Sequence, residues 1–359
     1  MTGIYVHIPF CKSRCLYCDF FSTTQLERRE EYVQALLKEI AERVPDNEQI
    51  TTIYFGGGTP SLLEIEQIER LLTALLTKSP TPPIEITLEA NPGDLTLDKL
   101  LALRKMGINR LSIGVQSFDN AKLQLLGRRH NAEQARQAVR DAQTAGFDNI
   151  SIDLMYALPD ETITTWKRDI NEALALNVQH ISCYCLSYES GTPLTNKLNA
   201  GQIVSVDEDI ENKMYDELCK TLTANGFIHY EVSNFALPEK QAKHNTSYWN
   251  NIPYIGLGAG AHSYDGHKRR WNIADLEAYV KRMLSGSEYW EEEMLTEEQK
   301  NIEHVMLGLR TNLGIPLTND LKVKAQPMIE KGLLKIKDGN IIATQSGLHI
   351  LNRIIEQLI

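Results

Sequence analysis

No stretch of the 359 residues stays apolar over the ~20 positions that a bilayer-crossing helix needs. The first residues also lack the charged, apolar and small-residue succession of a secretory signal. A cytosolic location is the expectation that follows, with a place at the inner membrane face open only if a recipient is membrane-bound. Basic charge is scarce beside acidic charge: 37 Lys and Arg stand against 47 Asp and Glu, for a net charge of -10. That balance opposes broad attraction to phosphate backbones, so nucleic acid is not expected as a partner. Low-complexity tracts and short internal repeats are missing. Cysteine is sparse too, with six in the chain, of which three fall between positions 11 and 18. So uneven a distribution does not read as a disulfide framework; it reads as a set of ligands.

What is present is an ordinary globular composition, 42% apolar and 23% charged, long enough for two or three units. Val33, Leu36, Leu37, Ile40 and Val44 recur at helical spacing, as do Ile65, Ile68, Leu71, Leu72 and Leu75. Short alternating runs lie between such helices, at Ile4 to Ile8, Thr52 to Phe55, Ile84 to Glu89, Arg110 to Gln116, Asn149 to Leu154 and His180 to Ser187. Strand and helix alternating in this way force parallel strands. Six units fall short of the eight that close a barrel, so an α/β fold with a partial (β/α)6 barrel is expected. Strand parity adds a functional reading, because neighbouring side chains point to opposite faces. If Ile84, Ile86, Leu88, Leu111, Ile113, Val115, Ile150, Ile152 and Leu154 face the helices, then Glu89, Gln116 and Asp153 project into the barrel at the C-terminal strand ends, where such barrels keep their active sites. A hydrogen-bonded polar plug without chemistry is the alternative.

After Ser190 the rhythm breaks. Residues 207 to 225 read as a helix and Phe227 to Phe235 as a strand, followed by a loop-rich stretch with His244, Trp249 and the run from Gly256 to Gly260. From Thr296 onward two helices, a hairpin at Asp338 and Gly339 and a last helix from Gly347 resemble a winged helix. The expected division is 1–190 for the barrel, 191–295 for an α+β extension and 296–359 for the winged-helix-like module, the last for packing or partner docking.

Cys11, Cys15 and Cys18 follow the first strand with spacing CxxxCxxC. Zinc would need a fourth nitrogen or sulfur ligand, and His7 is the only nearby candidate. A four-iron cluster held by three thiolates leaves one iron open to an outside ligand. With Tyr17 before the third cysteine, the motif resembles that of radical S-adenosylmethionine proteins, whose usual core is the six-strand partial barrel. The resemblance implies a [4Fe-4S] cluster whose open iron chelates S-adenosylmethionine, the difficult chemistry belonging to the cofactor. Gly56 to Pro60 ends the second strand, where residues without Cβ let a ligand approach the backbone. The same resemblance implies that Tyr5, Gly57 and Glu89 contact the cluster-bound cofactor, and that Tyr17, Gly58, Thr59, Gln116, Arg128 and Asp153 contact a second S-adenosylmethionine found in part of the family; one or two copies remain open.

The string from Tyr5 to Cys11 narrows the resemblance to the group of oxygen-independent coproporphyrinogen III dehydrogenases. The dehydrogenase branch carries a fourth cysteine two residues past the third, and an N-terminal extension. Here Phe20 holds that position and ten residues precede Cys11. The other branch, HemW-type haem chaperones, is marked by HNxxYW, which reads here His244-Asn245-Thr246-Ser247-Tyr248-Trp249. That resemblance spans the whole chain. It implies haem held near His244, Tyr248 and Trp249, haem-accepting proteins as partners, respiratory and membrane-bound ones among them, and a homodimer. Histidine is a common axial ligand for haem iron and aromatic rings pack on a porphyrin face; the residues alone equally allow a loop anchored by Trp249. His262, after Gly256 to Gly260, reads equally as a neighbour of the same site or as part of a capped glycine turn, and Lys268, Arg269 and Arg270 beside Trp271 are read as a solvated basic turn or as partners for propionates. Cys183, Cys185 and Cys219 read as small buried hydrophobes, and Glu291 to Glu293 as an exposed charge run. The leading expectation is a haem chaperone. Coproporphyrinogen III dehydrogenase and a cluster-bearing regulatory protein without catalysis are the alternatives.

Overall fold

The computed structural model describes residues 2–359. β1 (Thr2–Ile8), β2 (Ile50–Gly57), β3 (Glu85–Ala90), β4 (Arg110–Gln116), β5 (Ile150–Tyr156) and β6 (His180–Cys185) pair in chain order, every pair parallel. The crossovers that parallel pairing requires contain α1 (Arg29–Arg43), α2 (Ile65–Leu76), α3 (Leu97–Met106), α4 (Asn120–Leu125), α5 (Ala132–Thr144) and α6 (Ile163–Ala175). These elements make the partial (β/α)6 barrel.

Helix faces follow the spacing of apolar residues. α1 buries Val33, Leu36 and Ile40, and α2 buries Ile68, Leu71, Leu72 and Leu75. Glu64 and Gln67 close a reciprocal cap at the start of α2, and Thr162 and Thr165 do so at α6, satisfying amides that no helical carbonyl can reach. Behind that second cap, Trp166 is fully buried and donates its indole N–H to the Met214 carbonyl at 3.0 Å. Trp166→Ala is expected to cost about 3–5 kcal/mol, read as a lower urea midpoint with an unchanged slope.

The sheet continues past both barrel edges. Beyond β6, β7 (Ile228–Glu231) and β8 (Asn234–Ala236) add an antiparallel hairpin. Beyond β1, β9 (Tyr254–Leu257) pairs parallel to β1, and β10 (His262–Tyr264), β11 (Lys268–Asn272) and β12 (Trp290–Met294) follow in antiparallel order, giving twelve strands in one sheet. The single strand expected over Phe227 to Phe235 is thus two strands. Distant partners cause the break: the Val232 N–H donates to the Arg310 carbonyl and the Ser233 carbonyl accepts from the Cys183 N–H.

Strand parity holds on β3, β4 and β5. Leu88, Leu111, Ile113, Val115, Ile150, Ile152 and Leu154 lie in the main apolar core. Ile84 does not join them; it precedes β3 and is exposed. Gln116 departs from simple alternation as well. The β4–β5 register shifts between Gly114 and Gln116, and Gln116 has φ +69°, a left-handed conformation that costs a side-chain-bearing residue about 1–3 kcal/mol.

The last segment has its own core, built by Leu309, Ile315, Leu334, Ile341 and Ile354. Helices Glu297–Gly308 and Asn319–Glu330 precede the hairpin of β14 (Leu334–Lys337) and β15 (Asn340–Ala343), with β13 (Ile315–Pro316) completing a three-stranded sheet. Asp338 and Gly339 turn that hairpin with φ +50° and +82°, as a two-residue turn of this hand requires. The expected final helix is two, Gln345–Leu348 and Leu351–Leu358. Among the described residues no helix is long and apolar enough to cross a membrane.

Candidate functional site

A cavity of about 560 Å³ opens at the C-terminal ends of the barrel strands. Its base is fixed before any cysteine is placed. Phe10 is buried edge-on against Tyr32, and the Cys11 N–H and the Thr23 N–H each donate across the loop's neck, to the Thr23 and Pro9 carbonyls at 2.8 and 2.7 Å. The loop between them is thereby closed on itself. Its outer turn is tied down by Leu16, which donates to the Leu126 carbonyl and accepts from the Leu194 N–H. Cys11, Cys15 and Cys18 all carry free thiols and all line the cavity. Burial pushes the thiols of Cys11 and Cys18 up from their ordinary range, an environment that a cationic centre would reverse.

His7 is not available to zinc as a fourth ligand. His7 is buried and engaged on both sides: its Nε2 donates to the Phe21 carbonyl at 3.1 Å and its Nδ1 accepts from the Tyr5 hydroxyl at 3.0 Å. Among the described residues no three His, Cys, Asp or Glu side chains are arranged to hold a single ion. Three thiols of one loop at an open cavity, with His7 withheld, fit a polynuclear iron–sulfur group with one iron open.

The glycines beside the loop have steric reasons. A Cβ on Gly58 would lie 2.8 Å from the Phe10 carbonyl oxygen, and one on Gly57, at φ +112°, would lie 2.6 Å from the His7 ring. Their absence lets the end of β2 press against the base of the cysteine loop. Thr59 completes the approach, with Oγ1 3.7 Å from Cys11 Sγ.

Glu89 faces this corner. It accepts from the Gly57 N–H at 3.0 Å and from the Tyr54 hydroxyl at 2.7 Å, and burial raises its carboxyl to about 7. Asp153 lies in the same cavity and accepts from Ser112 Oγ at 3.3 Å; burial raises it to about 6. Arg128 stands between the cysteine loop and the barrel wall. Its Nη1 lies 3.3 Å from Cys15 Sγ and 3.5 Å from the Tyr17 hydroxyl, and its Nη2 donates to the Gly114 carbonyl at 2.7 Å. Its buried Nε has no partner among the described residues. Tyr17, Gly57, Gly58, Thr59, Glu89, Gln116, Arg128 and Asp153 all line the cavity with the cysteines. Tyr5 does not; it stands behind the wall, bonded to His7 and stacked on Tyr54, whose hydroxyl donates to Glu89.

A model of the radical SAM superfamily matches residues 5–173. A heme chaperone HemW from Lactococcus lactis is 39% identical over 88% of this chain and 83% of its own length, and one from Bacillus subtilis is 34% identical over 97% and 96%. The chain belongs to the HemW family. Mitochondrial radical S-adenosyl methionine domain-containing protein 1 of Bos taurus is 32% identical over 100% of this chain and 87% of its own. Among solved structures, coproporphyrinogen III oxidase (HemN) of Escherichia coli, described as a radical SAM enzyme, superposes with a TM-score of 0.86 at 25% identity, over 99% of this chain and 89% of that one.

The HNxxYW string of this HemW-family chain lies on helix Lys243–Trp249, away from the cavity. His244 is fully buried near the N-terminal ends of β1 and β2. One ring nitrogen sits 2.8 Å from Thr52 Oγ1 and the other 2.7 Å from the Tyr248 hydroxyl, while its backbone N–H donates to Glu85 at 3.0 Å. Its ring stacks on Tyr54 with centroids 5.2 Å apart. Neither nitrogen is free for iron in this conformation, and burial lowers its basicity to about 3. Trp249 and Tyr248 are half-buried on the same helix. The basic trio is also occupied: Lys268 pairs with Glu292 at 3.0 Å, Arg269 with Glu303 at 2.8 Å, and Arg270 lies over the Trp290 ring at 4.0 Å. Glu291 to Glu293 stand on β12 opposite these residues, still exposed.

Several residues of the site carried no separate expectation. Tyr54 links His244 to Glu89, and its inward parity on β2 was the signal that could have found it. Cys185, read as a buried hydrophobe, lines the cavity with Tyr184. Arg110 is buried with Nε and Nη1 unpaired, and lowers both Glu89 and Asp153 by its charge. No local pattern separates such an arginine from an ordinary strand-end cation.

Proposed function

We propose that this chain is a haem chaperone that carries a [4Fe-4S] cluster on Cys11, Cys15 and Cys18, binds S-adenosylmethionine beside it, and passes haem to haem-accepting proteins, respiratory ones among them. The observation that carries the cluster is the set of three free thiols on one closed loop at the cavity, with the nearby His7 engaged elsewhere. The names of the relatives, heme chaperone HemW in two bacteria, support the haem side of the reading. When bound and reduced, the cluster would supply the electron for cleavage of the sulfonium bond.

The chain's own residues supply the rest. Arg128 places its guanidinium beside Cys15 Sγ and the Tyr17 hydroxyl, so a fixed positive charge stands at the edge of the cysteine loop. The carboxylates of Glu89 and Asp153 suit the ammonium and ribose hydroxyls of the cofactor, and Gly57 and Gly58 leave backbone open to its methionine end. Tyr5 orients His7, which props the underside of Gly57. Gln116, Tyr17 and Thr59 complete a wall that a second cofactor molecule would use.

A pH dependence follows. Both carboxyls are held up by burial, and the groups facing them are Tyr54, Asp153 and Arg110 for Glu89, and Ser182, Arg110, Ser112 and Arg128 for Asp153. Protonated, neither can pair with a cation. Affinity for S-adenosylmethionine is therefore expected to fall as pH drops from about 8 to about 6, by up to about tenfold per unit once a carboxyl is mostly protonated. Equilibrium dialysis of the cluster-loaded chain measures it; a flat profile contradicts the assignment.

The likeness to HemN over nearly the whole chain favours one second reading, oxidative decarboxylation of coproporphyrinogen III. Phe20 argues against it: it is 71% exposed at the cavity, where the dehydrogenase branch has its fourth cysteine. Anaerobic titration with haem, with and without S-adenosylmethionine, should give saturable absorbance changes, while incubation with coproporphyrinogen III and a reductant should give no fluorescent protoporphyrin. Turnover to protoporphyrin would overturn the chaperone reading.

A further inference from the structure

Histidine is a common axial ligand of haem iron and must offer an accessible nitrogen to serve as one; the nine histidines of the chain differ sharply in this respect. His7 and His244 have both nitrogens engaged, as does His180, held by Ser151 Oγ and the Tyr230 hydroxyl at 2.7 Å each. His130 is buried against the Val115 carbonyl, and His229 lies between the Tyr215 hydroxyl and the Val232 carbonyl. His349 pairs with Asp216 and His267 with Lys300. His262 and His304 are the two exposed histidines whose rings have no hydrogen-bond partner among the described residues. His304 has no aromatic neighbour. His262 has Trp271 directly across the β10–β11 pair, with centroids 6.2 Å apart and ring planes 27° apart.

The position of this pair is specific. β10 crosses so tightly over β9 that a Cβ on Gly256 would fall 1.9 Å from the His262 carbonyl oxygen. Gly256 stands in register with Tyr5 of β1, so the row Tyr5, Gly256, His262, Trp271 runs across one face of the sheet with no side chain at its second place. Two residues before His262, Gly260 packs under Phe21, whose ring stacks on His7. Phe21 belongs to the same loop as Cys18, and exposed Phe20 precedes it. Arg269 shares the face of Trp271, and its side chain, paired with Glu303 at 2.8 Å, stays 39% exposed.

We propose that His262 supplies the axial nitrogen to haem iron, with Trp271 packing beside the porphyrin and Arg269 available to a propionate, at the rim of the barrel next to the cysteine loop. The inference rests on the haem-chaperone reading and adds where haem sits: beside the cluster cavity, on the sheet extension, with buried His244 serving to hold the helix that carries it.

Ferric haem titrated into the whole chain, read by its absorbance bands, tests this. His262→Ala is expected to weaken binding about tenfold or more, the scale on which even supporting contacts to a metal are felt, and to lose the band pattern of an imidazole-ligated iron. Free imidazole added to the His262→Ala protein should restore that pattern. The ring is exposed, so thermal unfolding should be unchanged. His244→Ala should lower thermal stability yet keep the ligated spectrum. An unchanged haem spectrum in His262→Ala, or a ligated spectrum lost only in His244→Ala, overturns the proposal. Absence of saturable binding in the unaltered chain overturns the haem-chaperone reading and this inference with it.

Discussion

Replacement of Cys15 by alanine is expected to abolish iron loading, taking the reconstituted chain from about four irons to nearly none. Cys11, Cys15 and Cys18 are the loop's three thiols, and Cys15 is the one beside which Arg128 Nη1 is placed, at 3.3 Å. Loss of one thiolate would leave two, too few to retain a cluster against chelators. Cys183→Ala and Cys219→Ala, both at buried positions in the main apolar core, should load iron as the unaltered chain does. Cys185→Ala is the more searching control, because Cys185 also lines the cavity. Iron and labile sulfide analysis after anaerobic reconstitution gives the answer. Full loading of the Cys15→Ala protein would mean that other side chains hold the metal.

Glu89→Gln should have the second largest effect. Glu89, half-buried at the cavity, accepts two hydrogen bonds, and removing its charge deletes the anion there without changing shape. Hydrogen bonds to charged groups are worth about 1.5–3 kcal/mol, so affinity for S-adenosylmethionine should fall by about 10- to 100-fold. Stability should move the other way. The folded carboxyl titrates near 7 against an ordinary 4.5, so the folded chain retains a proton that the unfolded chain has lost, and stability contributed by this group falls as pH rises through that window. A neutral glutamine removes that penalty. The Glu89→Gln protein should therefore melt no lower than the unaltered protein above about pH 7, and loss of cofactor affinity together with a collapse in stability would instead mark Glu89 as structural.

Those parts of the site governed by local rules were legible in the sequence. Alternation on β3 and β5 fixes the inward direction of Glu89 and Asp153 because a two-residue period leaves no other choice once Leu88 and Leu154 face the helices. The cysteine spacing needs only a short loop. Gln116 reaches the cavity by a register shift and a left-handed backbone that no alternation rule supplies. Sheet extension by β9 was equally hidden, since it depends on the pairing of residues about 250 positions apart in the chain, a contact that local periodicity does not encode. The HNxxYW string shows the limit most clearly. His244 is marked by sequence, but its neighbours Thr52, Tyr54 and Glu85 come from two barrel strands, and only their convergence reveals a buried, fully bonded ring.

The most direct test of the central claim is the visible and electron-resonance spectrum of the anaerobically reconstituted chain before and after addition of S-adenosylmethionine, with metal analysis on the same sample. An iron that lacks a protein ligand predicts about four irons and four sulfides per chain, no zinc, and a spectrum that changes when the cofactor binds. Stoichiometric zinc, or an iron spectrum indifferent to the cofactor, would contradict the account.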